Sequence, residues 1–185
     1  LNVLLKTRRG IPISLAVLWL ELAQGLGLKA RGVNFPGHFL VKINLPEGQV
    51  VLDPFTGQSL SREDLSERLE PYKRRSGLVD DFDVPVGLYL QAAPSRDILA
   101  RMLRNLKEIY RTAEDWLRLI AVQDRLLVLL PDAWVEYRDR GLAWAEMGDA
   151  RLAVADLEVY VANTDDALDR DAITQRMQEL RRALN

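Results

Sequence analysis

The sequence predicts an α+β chain in two parts: a short antiparallel sheet packed on a buried helix, followed by an all-α region. Three observations predict it. An apolar run at 13–23 is bracketed by Pro12 and a pair of glycines, short β-rich segments follow it as far as residue 52, and a helical pattern repeats through the C-terminal half. With 185 residues, 48% of them apolar, the chain can bury a real core.

The elements follow in order. Pro12 suits the first turn of a helix, where its missing N–H costs nothing. The run 13–23 is apolar nearly all round and so reads as a central, buried helix, ended by Gly25 and Gly27. Segments 31–34, 39–44 and 49–52 read as strands, with "LPEG" (45–48) as the turn between the last two. "DPFTG" closes the third, since Pro54 cannot continue a central strand. Hairpin register decides whether His38 meets Asp53. A four-residue loop sets them directly opposite if Asn44 opens it and diagonal if Leu45 does; both put the side chains on one face. A three-residue loop sends them to opposite faces. Ser61 and Asp64 form a helix-capping pattern ahead of "LSERLE". The stretch "PYKRRSGLVDDFDVPVG" (71–87) reads as a linker or ordered loop. The domain boundary falls near 94, giving domains 1–94 and 95–185.

From Asp97 the pattern is helical and repeats. Aligning 105–132 with 139–166 puts Tyr110 on Trp144, Glu114 on Gly148, Asp115 on Asp149 and Leu126 on Tyr160. The offset of 34 residues is the tetratricopeptide spacing, one helix–turn–helix per unit. Trp134, Gly141, Trp144, Gly148, Ala153 and Leu157 take the small and aromatic positions of the second unit, and Pro131 ends the first. A helix at 172–184 caps the stack.

Composition excludes several function classes. A net charge of −2 gives no reason to expect nucleic acid or an anionic membrane surface. With no cysteine there is no disulfide and no thiolate nucleophile; with one histidine an ordinary zinc site lacks ligands, so neither metal nor cofactor is expected. No apolar run reaches the ~20 residues of a membrane span, and a cytoplasmic protein without membrane insertion is expected. The start at Leu1 reads as a fragment or a processed product.

The segments "GIPISLAVLWLELAQGLGLKAR", "GHFLV" and "LDPF" supply, in order, a buried helix with its exit, a histidine strand and an aspartate strand. In that combination the first half resembles the transglutaminase-like superfamily, which has a papain-like core. Together with "RRGIPISL", "VNFPGHFLV", "LDPFTGQSLS" and the repeats, the chain resembles the SirB-type family of bacterial proteins, which join such a domain to tetratricopeptide repeats and usually carry a further helical region before this point. The resemblance implies a Cys–His–Asp site. Gly10-Ile11-Pro12 overlays its Gly-x-Cys, so the cysteine position is Pro12, while His38 and Asp53 match the supporting pair.

Ser14 is the one nearby stand-in nucleophile, yet two residues of helix turn its side chain roughly 200° from that of residue 12. A serine in a first turn also commonly bonds local backbone. His38 equally reads as a packed strand histidine, and Asp53 before Pro54 as a turn-former. Three functions compete. The first is a non-catalytic scaffold that docks a protein or peptide on its repeats, with Lys107, Arg111, Arg138 and Glu146 as exposed contacts on helices beginning near 105 and 137. The second is a peptide-binding pocket in the remnant cleft. The third is a hydrolase or acyltransferase using Ser14, His38 and Asp53.

Overall fold

The computed structural model describes residues 2–75, 85–165 and 167–184. The chain forms two compact units, Leu1–Ile98 and Leu99–Asn185.

The first unit begins with helices α1 (Asn2–Thr7) and α2 (Pro12–Gly25). Pro12 opens α2, and Ile11 before it is extended, as a residue preceding proline must be. At the other end Gly27 takes φ +73°, its N–H donates to Gln24 O and that of Leu28 to Ala23 O, a Schellman closure. The expectation of a fully buried helix needs correction. Ile13, Ala16 and Ala23 are buried along one stripe, whereas Leu22 is 61% exposed. That stripe meets strands β1 (Lys29–Val33) and β2 (Leu40–Leu45), while Leu15, Val17, Leu18 and Trp19 are half-buried, so apolar content overstated the burial.

Strands β3 (Gly48–Leu52) and β4 (Ser59–Leu60) complete an antiparallel meander in the order β1-β2-β3-β4. Helix α3 (Arg62–Arg75) starts on the predicted reciprocal cap: Ser61 N–H donates to Asp64 Oδ2 at 2.8 Å, and Asp64 N–H to Ser61 Oγ at 3.1 Å. This fixes the phase that buries Leu65 and Leu69 against Val33, Phe35, Leu40 and Val51 of the core. The helix also runs through Pro71 to Arg75, where the sequence suggests a linker. The rest of that linker reading, 76–84, lies outside the described residues. Helix α4 (Val86–Tyr89) then leads to Ala92, which bridges Val33 and lines the free edge of β1.

The division between the units falls within α5 (Ser95–Thr112), a little past residue 94. Helices α6 (Trp116–Leu129), α7 (Trp134–Glu146), α8 (Ala150–Ala162) and α9 (Arg170–Arg182) follow. The helices containing residues 105 and 137 thus begin at Ser95 and Trp134, since Pro94 and Ala133 mark the breaks. The repeat holds in detail. Glu114 and Gly148, aligned by the 34-residue offset, both take positive φ (52° and 81°), and each closes its helix by the same pair of backbone bonds. The next residues, Asp115 and Asp149, accept from the N–H three positions on. Gly141 permits the closest approach: a Cβ there would lie 3.1 Å from Ala153 O and 3.0 Å from Leu157 on α8.

Candidate functional site

The β2–β3 hairpin closes at Leu45↔Gly48, so the loop has only Pro46 and Glu47 between the paired residues. Its register pairs Asn44 with Gln49, the diagonal arrangement, in a tighter turn than the sequence suggests. Carried past the strand ends, that register keeps His38 and Asp53 on one face, and the side chains meet: His38 Nε2 lies 2.9 Å from Asp53 Oδ1. His38 sits in the turn before β2, where its N–H donates to Phe35 O. Since an ionised carboxylate only accepts, Nε2 carries the proton.

Asp53 is 2% exposed, and each hydrogen bond to its carboxylate favours its charge. Oδ1 also accepts from Phe55 N–H at 2.9 Å, and Oδ2 from Arg68 NH1 at 3.0 Å. Burial pushes the carboxyl up, but the hydrogen bonds from His38, Phe55 and Arg68 together outweigh it and hold Asp53 down at about 2. The aspartate is therefore both the histidine's partner and the turn-former of "DPFTG"; the two readings coexist.

Arg68 is the residue that sequence reasoning missed. Its signal lay in the cap: once Ser61 and Asp64 start α3, Arg68 falls one turn after the buried Leu65 and beside Leu69, on the flank of the core face. Over the cluster lies a cleft of about 420 Å³, bounded by His38, Arg68 and Arg75 and walled by Phe35, Pro36, Pro71 and Tyr72.

Ser14 does not join this site. Its hydroxyl donates to Ile11 O at 2.9 Å, closing the first turn of α2, and among the described residues no hydrogen bond links it to His38. Pro12 occupies the first helical position, with no side-chain nucleophile. No group of three metal-ligating side chains occurs among the described residues, and no described helix is long and apolar enough to cross a membrane.

In the second unit, Arg111 and Glu146 are exposed, but Lys107 and Arg138 are not the free surface cations anticipated. Lys107 is 7% exposed, with Nζ 2.6 Å from Glu136 Oε2 and 2.5 Å from Asp139 Oδ2. Arg138 is half-buried and bonds Asp139 and Asp169. Helical spacing put both on α5 and α7, but not on which side, and their long apolar stems favour a place between helices. Burial opposes the Arg138 charge, but the two carboxylates hold its pKa above the usual guanidinium value.

Comparison with known proteins agrees with both halves. Residues 1–104 match the family model of the transglutaminase-like superfamily, and residues 106–178 that of the tetratricopeptide repeat. The chain belongs to the transglutaminase-like superfamily and joins that domain to tetratricopeptide repeats. More particularly, it is similar to a UPF0162 protein of Xylella fastidiosa (strain Temecula1), 42% identical over 87% of this chain and 57% of the relative. It is likewise similar to a UPF0162 protein of Pseudomonas aeruginosa, 31% identical over 97% of this chain and 64% of the relative. Protein SirB1 of Salmonella typhimurium is 27% identical over 87% of this chain and 58% of its own length. The chain thus spans less than two thirds of the length of these relatives.

Proposed function

We propose that this chain is a non-catalytic protein-interaction module, in which a transglutaminase-like domain without its nucleophile is joined to tetratricopeptide repeats that dock a protein or peptide. One observation carries the reading. His38 and Asp53 pair at 2.9 Å, yet the helix start that should present a nucleophile carries Pro12, and the nearest hydroxyl, that of Ser14, is committed to Ile11 O. A base held beside its orienting carboxylate, with no nucleophile to serve, stiffens a hairpin rather than turning over substrate. The exposed Arg111 and Glu146 remain the candidate partner contacts on the repeats.

A fluorophosphonate probe tests this directly, because no thiol competes for it. No labelled residue is expected in the wild type or in His38→Ala. Label on Ser14 that disappears in His38→Ala would overturn the reading and make the chain an acyl-transferring hydrolase. A second reading is favoured by the cleft beside His38: it serves as a pocket for a peptide without turnover, its volume lying within the range of small-ligand sites.

A further inference from the structure

We infer that the cleft over the His38–Asp53–Arg68 cluster takes a carboxylate-bearing peptide group, an acidic side chain or chain end whose apolar neighbour packs on Tyr72 and the flanking prolines. The inference rests on the pocket reading and specifies its ligand.

Charge argues first. Among the described residues the lining includes two guanidinium groups and an imidazole but no carboxylate. Of the two arginines, Arg68 is already answered by Asp53, which lies beneath the cleft with Oδ2 3.0 Å from it. Arg75 is not: its Nε donates to Pro71 O at 3.2 Å, and among the described residues no carboxylate meets it. Asp53, Arg68 and Arg75 together sum to a single positive charge, which one carboxylate balances and a phosphate dianion would overshoot. Arg68 and Arg75 lie seven residues apart on α3, two helical turns, and so border the same side of the cleft.

Shape argues second. Phe35, Pro36, Pro71 and Tyr72 give the walls flat faces of the kind that receive an aromatic or proline ring, and Tyr72 is braced edge-on by Tyr89 with ring centroids 6.1 Å apart. The floor is rigid, because Asp53 is anchored through three hydrogen bonds. Gly37 leaves its side of the cleft open, since among the described residues nothing lies within 4 Å of where a Cβ would stand. A preformed basic end beside a flat apolar wall fits a ligand carrying one carboxylate next to one ring.

The sole histidine makes the test clean. N-acetylphenylalanine is titrated at fixed pH into the protein while the imidazole resonances of His38 are followed by NMR, alongside N-acetylphenylalaninamide and inorganic phosphate. The expected result is a saturable shift with the acid, about tenfold weaker binding of the amide, and about tenfold loss for the acid alone in Arg75→Gln, with rescue by Arg75→Lys. Equal binding of acid and amide would overturn the carboxylate assignment and leave the pocket standing. Binding of phosphate tighter than the acid would overturn it in favour of a phosphoryl group. No shift with any of the three would overturn the pocket itself.

Discussion

Asp53 in the first unit and Glu136 in the second are each buried beside cationic side chains, and the two are put to different ends. Asp53 and Glu136 are both nearly inaccessible. Around Asp53 the partners are half open: His38 and Arg68 keep 25% and 37% of their side-chain surface and border a cleft. Around Glu136 the nearer cation, Lys107, is itself buried and is shared with Asp139, while the half-exposed Arg104 lies 3.5 Å from the other oxygen. The first arrangement borders a cleft; the second joins helix α5 to helix α7 through Lys107.

The comparison can be broken most forcefully in the second unit. Lys107→Ala leaves Glu136 buried without its main partner and should cost about 3–5 kcal/mol in chemical denaturation, whereas removing a surface lysine costs little. The first unit responds to pH instead. Asp53 titrates at about 2 in the folded protein against an ordinary 3.8, so between those values the unfolded chain binds more protons. Its contribution, about 2 kcal/mol, is fully present above pH ~4 and lost as pH falls through ~2; it should be absent from the stability–pH profile of Asp53→Asn.

A finer version of the comparison sets the two repeats against each other. Gly141→Ala drives a methyl against Ala153 O and Leu157; the better helix propensity of alanine offsets part of the strain, leaving a net loss of about 1–2 kcal/mol. The smallest effect has the opposite sign. Glu114 holds the left-handed conformation that Gly148 holds in the next repeat, so Glu114→Gly should raise stability by about 0.5–1 kcal/mol, read as a higher melting temperature.

What the sequence disclosed followed how local each feature was. The repeat was legible to single residues: an offset of 34 aligned Glu114 with Gly148 and Asp115 with Asp149 before any coordinates, because helix ends are written in adjacent positions. The Ser61–Asp64 cap was legible for the same reason. The His38–Asp53 pair was legible only as alternatives, since a single step of register separates same-face from opposite-face, and the Leu45↔Gly48 closure decides it. The cap placed Arg68 on the flank of the core face but not on Asp53, and the inward turn of Lys107 was not legible, because both pairings depend on a partner distant in sequence. The exposed flank of α2 misled for a related reason: hydrophobicity reports what a segment tolerates, not what covers it.

The turns at Glu114 and Gly148 have a consequence for how this chain can vary in length. In each, the residue that completes the closure of one helix is also the cap of the next, so the two helices share a single aspartate and no spare residue lies between them. One inserted residue would rotate the following helix by about 100° and present a different face to its neighbour. Such turns behave as rigid elbows. Growth or loss of sequence is better tolerated between helix pairs, at 130–133, than within a pair, so the spacing within each pair is bound to stay constant.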